Sequence, residues 1–248
     1  MENKPYGSVI GSSLAPYENA LAKACGLATN YRAITHPSLP NYLAATGGST
    51  FGVTDDAGPS AHSIAATSLF QQVTEAELSW RAYDESMPTA CDPSPSGRYA
   101  VKHNPAVYYT AVHQQCLVDD VALESHLSQD IAAGNLPSFA FVTPNLCDDT
   151  HDCGAQTGDA WLATWIPRIV SGPNYSAGDT LIVLTWDEGV GVSNLIPTIV
   201  VGPSVPTGDR ATAAFTHYSL LLTTEQLLGL PALGAARTAT SLTPAFHL

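Results

Sequence analysis

Two adjacent carboxylates, Asp187 and Glu188, close the apolar run Leu181–Trp186 and are followed by Gly189 and Gly191. Side by side at the end of a strand they repel each other unless a cation lies between them. A hard divalent metal is the natural partner for oxygen donors of this kind; a solvated turn is the plainer alternative. A second segment, Thr35-His36-Pro37-Ser38-Leu39-Pro40-Asn41-Tyr42, places a hydroxyl between two prolines. The prolines stiffen their own backbone and restrict the residues before them, so Ser38 is held in one pose at a strand-to-helix junction. A serine hydroxyl is a poor nucleophile until a base or a metal activates it. Asn41 has an amide that could donate to a developing oxyanion. A proline-rich turn with an N-capping serine has the same composition.

The segment Thr143–Asp152 carries His151 among Asp148, Asp149 and Asp152. Such a set suits a second metal site or a phosphate contact, and equally a disulfide-closed acidic loop. His103 and His217 stand in mixed apolar surroundings, where a lone histidine is more often structural than catalytic. Familiar alternatives fail on spacing. Gly47-Gly48-Ser49-Thr50-Phe51 lacks the last glycine of a Gly-x-Ser-x-Gly elbow. There is no phosphate-binding Gly-x-x-x-x-Gly-Lys, no Gly-x-Gly-x-x-Gly and no His-Glu-x-x-His.

These residues need elements to position them. Apolar periodicity and its punctuation predict helices over Ala15–Ala24, Ser63–Glu77, Val121–Ala133, Asp159–Val170 and Tyr218–Leu228. Strands are predicted over Ala28–Ile34, Leu78–Tyr83, Ser138–Val142, Thr180–Trp186 and Pro197–Val201. Continuous apolar strands between amphipathic helices predict an α/β domain with a mostly parallel sheet, in which chemistry gathers beyond the carboxyl ends of strands. The clusters at His36–Asn41, Thr143–Asp152 and Asp187–Glu188 all fall there. Glu2–Asn3 forms a further polar pair with no strand before it.

The chain has 248 residues, 45% of them hydrophobic and only 12% charged, which supports one sizeable core and excludes disorder. Its 22 acidic and 9 basic residues give a formal charge of −13. Nucleic-acid binding is therefore excluded, because phosphate neutralisation needs clustered Lys and Arg. An anionic substrate would need a local cation. No apolar run reaches the roughly 20 residues that span a bilayer, and nothing at the N-terminus reads as a signal peptide. The cysteines Cys25, Cys91, Cys116, Cys147 and Cys153 include no Cys-x-x-Cys. Loop context favours the pairs Cys91/Cys116 and Cys147/Cys153, with Cys25 a buried thiol on an Ala-rich helix, as in an oxidising compartment. Five reduced thiols are the alternative.

Nine segments, taken in order, carry a resemblance. They are Glu2-Asn3-Lys4, Ala15-Pro16-Tyr17, Thr35–Tyr42, Lys102-His103-Asn104-Pro105, Phe141–Asn145, Asp148–Asp152, Thr185–Gly189, Pro197–Pro203 and His217-Tyr218-Ser219. Together they resemble the secreted phosphoesterase family of acid phosphatases and non-haemolytic phospholipases C, within the alkaline phosphatase superfamily. The resemblance spans nearly the whole chain and implies one domain, residues 1–248, with a three-layer α/β/α architecture. It implies that Glu2, Asn3, Asp187 and Glu188 ligate one divalent ion (Mg, Ca, Mn or Zn), with the nucleophile Ser38 on the same ion. Asn41 would bond a phosphoryl oxygen, and His103 and His151 would contact phosphate or leaving group; His217 is a weaker candidate.

The implied activity is hydrolysis of a phosphoric monoester by a secreted or extracytoplasmic monomer. A phospholipase C acting on a lipid head group and a non-catalytic remnant kept as a binding module are the alternatives. Two departures from the family stand out. The family runs an apolar strand into the Glu-Asn pair, whereas only Met1 precedes Glu2, so a strand and a signal peptide are expected upstream of Met1. After Gly189 the family continues with glycines, whereas Val190 and Val192 intervene here.

Overall fold

The computed structural model describes residues 1–248. A short helix α1 (Tyr6–Val9) is followed by α2 (Pro16–Ala24), which starts on a proline and carries Glu18 in its first turn and Lys23 in its last. Lys23 complements the carboxyl end of the helix dipole, and proline at the first turn costs no hydrogen bond. The chain then enters β1 (Gly26–Arg32) and α3 (Ser38–Gly47). Helix α3 ends at Gly48, where φ is +71° and an added Cβ would stand 2.5 Å from the Leu233 carbonyl oxygen. Only glycine fits that crossing of two backbones.

Helix α4 (Leu69–Glu75), capped by Ser68, leads to β2 (Trp80–Asp84). Helix α5 (His113–Asp119), strand β3 (Asp120–Ala122), helix α6 (Leu123–Ala133) and strand β4 (Phe139–Thr143) follow. Next come α7 (Ala155–Val170), α8 (Pro173–Ser176), β5 (Ile182–Thr185) and β6 (Leu195–Val201). The chain closes with β7 (Arg210–Ala211), β8 (Phe215–Thr216), α9 (His217–Leu227) and α10 (Thr243–Phe246).

The fold is α/β, and most strand pairs are parallel. Strands β3, β2 and β4 form one parallel sheet. A second sheet runs β5-β6-β1, with β7 and β8 both on the far edge of β1. In it β6 is antiparallel to both neighbours, while β7 and β8 are parallel to β1. The sheet expected to be continuous is thus interrupted between β4 and β5. One apolar cluster packs β1, β6 and Trp186 against α2, α7 and α10. Another gathers Leu39, Leu43, Phe70, Trp80 and Tyr109 around α3, α4 and β2.

Several positions differ from the sequence reading: α7 starts at Ala155 rather than Asp159, and three others differ for a clear local reason. The helix expected from Ser63 starts at Leu69, because Ile64 is extended and exchanges backbone hydrogen bonds with Tyr108 and Thr110. The helix expected from Val121 starts at Leu123, because Asp120–Ala122 pairs with β2. Cys25 caps the end of α2 and is half-buried rather than buried on the helix. The disulfides Cys91–Cys116 and Cys147–Cys153 pair as expected.

Several carboxyls lie in this core. Burial, then mutual charge, holds Asp84 well above the usual carboxylate range, and burial pushes its neighbour Asp120 up to about 7. Burial, then Asp159, pushes Glu18 up to about 8. A carboxyl with a raised folded pKa stabilises the fold fully below its unfolded value and loses that contribution as pH rises through the folded one. For Asp120 the window runs from 3.8 to about 7. Urea titrations should therefore show a more stable protein at pH 4.5 than at pH 8, and Asp84→Asn should flatten that slope. The loop closed by Cys91–Cys116 spans 25 residues and that closed by Cys147–Cys153 spans 6. Replacing both cysteines of the first pair by alanine should lower unfolding free energy by about 3.5 kcal/mol, against about 2 kcal/mol for the second pair.

Candidate active site

Ser38 is the first residue of α3 and is buried. The loop that delivers it is held by Asn41, one turn into the helix. Asn41 Oδ1 accepts the Ile34 and Thr35 amides at 2.9 and 3.1 Å, and Nδ2 donates to the Thr35 and Pro37 carbonyls at 2.9 and 3.1 Å. Its amide is therefore spent on its own backbone. In this arrangement the residue positions the Ser38 loop. Asp56 Oδ1 accepts the Leu39 amide at 2.9 Å and completes the helix start.

The Ser38 hydroxyl donates to Glu2 Oε2 at 3.1 Å. Glu2 is brought there by an extended N-terminal segment. The Met1 ammonium donates to the Thr185 carbonyl at 3.2 Å, and the Asp187 amide donates to the Met1 carbonyl at 2.9 Å. The Glu2 amide donates to the Asp149 carbonyl at 2.7 Å, and Thr150 Oγ1 donates to the Glu2 carbonyl at 2.6 Å. Asn3, with φ of +53°, donates its backbone amide to Asp187 Oδ1 at 3.3 Å. The Tyr42 hydroxyl donates to Glu2 Oε1. Tyr42 lies four residues after Ser38, so both face the same side of α3.

Two histidines complete the cluster. His103 is buried, stacked on Tyr42 at 5.4 Å between ring centroids. Its Nε2 lies 3.3 Å from Glu2 Oε1 and its Nδ1 3.1 Å from Asp149 Oδ2. Both approaches are off the hydrogen-bonding direction, so neither ring nitrogen is properly partnered. His151 lies at the rim, its ring centroid 5.6 Å from that of His103. Its Nε2 is 3.2 Å from Lys102 Nζ and its Nδ1 is 2.7 Å from Asp152 Oδ1. Lys102 is also paired to Asp56 at 3.0 Å, which places a side-chain cation beside His151.

From the other side, β5 delivers Asp187 and Glu188. The buried His217 Nε2 donates to the Asp187 carbonyl at 2.6 Å, while its Nδ1 meets the Tyr31 hydroxyl at 3.2 Å. His217 thus braces the backbone under Asp187. Glu188 is drawn away to His36, with Oε2 at 2.6 Å from Nδ1. The Gly189 amide bonds Asn194 Oδ1 at 2.7 Å, and Asn194 Nδ2 reaches the Thr35 carbonyl at 3.0 Å, tying this loop to the Ser38 loop.

The electrostatics follow from burial. Glu2 is pushed well above the usual carboxylate range by burial first, then by Asp187 and Asp149. Burial, then Asp187, pushes Glu188 up to about 7. Burial lowers both His103 and His217. Asp149 Oδ2 and Asp187 Oδ2 are buried without hydrogen-bond partners. Orphaned carboxylate oxygens at one place are costly unless a cation joins them.

The residues present fit a divalent cation, though not quite as expected. One oxygen of Glu2 and one nitrogen each of His103 and His151 lie within 4.8 Å of one another. This donor set adds imidazole nitrogen, where only oxygen was expected from Glu2, Asn3, Ser38, Asp187 and Glu188. Mixed nitrogen and oxygen suits Zn or Mn better than Ca. Of the expected set, the structure gathers Glu2, Ser38 and Asp187 about the cluster. Asn3 joins by its backbone and Glu188 is engaged elsewhere. Tyr42, Asp56 and Lys102 were not assigned roles from sequence, although Tyr42 and Lys102 adjoin the assigned Asn41 and His103.

Comparison with known proteins places this geometry in context. The model described as Phosphoesterase family matches residues 11–231. Over 247 residues the chain is 34% identical to the phosphatidylinositol-3-phosphatase of Mycobacterium tuberculosis, covering 98% of this chain and 79% of that protein. It is 32% identical over 222 residues to an acid phosphatase of Aspergillus fumigatus, covering 84% of this chain. It spans only 49% of that fungal relative. Among solved structures, a protein of the alkaline phosphatase superfamily from Vibrio parahaemolyticus matches with a TM-score of 0.62 over 99% of this chain and 70% of the other. Identity there is 11%, so the likeness is one of fold.

The role found for Asn41 is open to measurement. Asn41→Ala removes four hydrogen bonds and strands two loop amides, and at about 1 kcal/mol each it should cost about 3 to 4 kcal/mol of stability by urea titration. Asn41→Asp, which keeps the accepting oxygen, should recover about half.

Proposed function

The chain belongs to the phosphoesterase family, and on that premise we propose that it hydrolyses phosphoric monoesters through Ser38 with one divalent cation. The observation that carries this reading is the buried Ser38 hydroxyl, 3.1 Å from Glu2 Oε2, at the amino end of a ten-residue helix. Around it lie carboxylates and imidazoles with unpartnered buried atoms. Glu2, His103, His151 and Asp187 would hold the cation. When bound, it would offset their charge, ease deprotonation of the hydroxyl and stabilise charge on the phosphoryl oxygens.

The chain's own residues supply the rest. Asn41 and Asp56 fix Ser38, so no reorganisation is needed as the reaction proceeds. The amino end of α3 favours an anion next to Ser38. Ser38 Oγ attacks phosphorus as the ester P–O bond breaks; its proton passes towards Glu2 Oε2, and the departing ester oxygen takes a proton from water and leaves as an alcohol. The phosphoserine formed is then hydrolysed by water, restoring Ser38 and releasing phosphate. Lys102 at the rim offers positive charge and hydrogen bonds to phosphate or leaving group.

Monoesters are favoured over phospholipase C substrates because both relatives named above are phosphatases by name. A small phosphate ester and a phosphoinositide head group share the chemistry this site would recognise. No helix is long and apolar enough to cross a membrane. Two disulfides support an oxidising, extracytoplasmic setting.

The test is hydrolysis of p-nitrophenyl phosphate beside p-nitrophenyl phosphorylcholine, with and without a chelator, across pH. The monoester should be preferred, the chelator should abolish turnover, and divalent metal should restore it. Ser38→Ala should lower kcat at least about 10³-fold with folding intact. Absence of turnover of both esters with Mg, Ca, Mn and Zn each supplied would favour a non-catalytic binding module instead.

A further inference from the structure

His103 reaches the centre of the site without a hydrogen bond of its own to aim it. Its ring nitrogens face Glu2 and Asp149 off the bonding direction and are unpartnered, and the ring is stacked on Tyr42. Stacking holds a ring against its neighbour but does not select which nitrogen faces which carboxylate. The aim is therefore set by the backbone that carries the residue. That backbone is a single 3-10 turn, Val101–His103, too short to hold its own shape. The Thr143 hydroxyl donates to the His103 carbonyl at 3.4 Å. The next residue, Asn104, is buried and precedes Pro105, which restricts it to extended backbone. Every polar atom of its side chain is used. Asn104 Nδ2 donates to Asp120 Oδ2 at 2.7 Å and to the Tyr99 hydroxyl at 3.1 Å, and Oδ1 accepts the Ala106 amide at 3.2 Å.

The anchor of Asn104 is one half of a carboxyl pair. Asp84 closes β2 and Asp120 opens β3, two positions apart in register, so both lie on one face of the sheet. Asp84 Oδ2 and Asp120 Oδ1 are buried and meet no N–H or O–H of another residue, and the two carboxyls bond each other. That bond needs one proton between them, because ionised carboxylates only accept. The Cys91–Cys116 disulfide closes over the pair. Cys116 Sγ lies 3.4 Å from Asp120 Oδ2, and the Cys91 amide donates to the Asp120 carbonyl at 3.1 Å. Apolar residues of similar volume would stabilise a core at least as well as a buried polar pair. What the pair adds is direction: an acceptor fixed at one point for the Asn104 amide.

We propose that Asn104, Asp120 and Asp84 are positioning residues for His103: the carboxyl pair, sharing one proton, holds the Asn104 amide, and Asn104 holds the backbone that aims the imidazole between Glu2 and Asp149. Asp120 is the directional member, and Asp84 supplies the proton that lets the pair lie out of water. The consequence for a bound cation rests on the reading that His103 is one of its ligands.

The test modifies the full chain with diethyl pyrocarbonate and locates the modified histidines by mass spectrometry. His103 is 1% exposed and His217 is 2% exposed, so both are protected in the parent chain. Asp120→Leu removes the acceptor at nearly constant size. It should speed modification of His103 at least about tenfold and leave His217 protected. Asp120→Asn keeps an oxygen for Asn104 and donates to Asp84 in place of the shared proton, so it should keep His103 within about twofold of the parent. If Asp120→Leu does not fold, Asn104→Ala, which leaves the carboxyl pair intact, carries the same prediction. By calorimetry, Zn should bind Asp120→Leu about ten- to a hundredfold more weakly than the parent, and Asp120→Asn within about twofold of it. Two results would overturn the proposal. One is His103 and His217 modified to the same degree in Asp120→Leu and in Asn104→Ala, which would make the cluster a part of the core alone. The other is His103 released in Asp120→Asn as fully as in Asp120→Leu. A parent chain that binds no Zn would count against the cation reading alone, because the modification pattern is read without metal.

Discussion

Negative charge buried at one point is the constraint on which the structure depends. Glu2, Asp149 and Asp187 approach each other out of water, with Ser38, Tyr42 and His103 packed among them. Carboxylates in such a place repel and lose their hydration. The chain holds them by backbone rather than by countercharge. The Met1–Asn3 segment is tied to β5 on one side and to the Asp149 loop on the other. His217 grips the Asp187 carbonyl, and Asn194 links the loops of Glu188 and Ser38. A site assembled this way is preorganised for a cation and for the charge that develops in phosphoryl transfer.

The same burial links site and scaffold electrostatically. Raised carboxyls occur in the site and also remote from it, at Asp84, Asp120 and Glu18. All hold protons more tightly folded than unfolded, which shifts the stability of the fold towards acid. A chain with formal charge −13 gains further from mild acid, because self-repulsion falls as carboxylates protonate.

The site lies at a seam. Its residues come from α3, from the loops after β4 and β5, and from the N-terminal segment between those loops. The sheets are separated where that segment enters, by a cavity lined from both helix layers. Position and chemistry are therefore coupled: the N-terminal segment tied between the two loops sets how Glu2 faces Ser38.

Much of this was legible in the chain itself. Apolar runs bounded by glycine marked β4, β5, β6, α6 and α9 to within two residues or so, because full burial in an α/β core leaves a strong compositional trace. The prolines around Ser38 announced a rigid junction, and the loop contexts of the cysteines announced both disulfides. What the chain alone could not settle was which partner each polar group takes. Asn41, one turn into the helix, bonds back onto its own loop. Glu188 pairs with His36, far away in sequence. His217 is buried against Tyr31 and bonds the Asp187 carbonyl across the fold. Local sequence determines backbone shape and burial through short-range sterics and apolar pattern. Pairing among polar side chains is decided by contacts between residues as much as 186 positions apart, which only the tertiary fold brings within 3 Å or so.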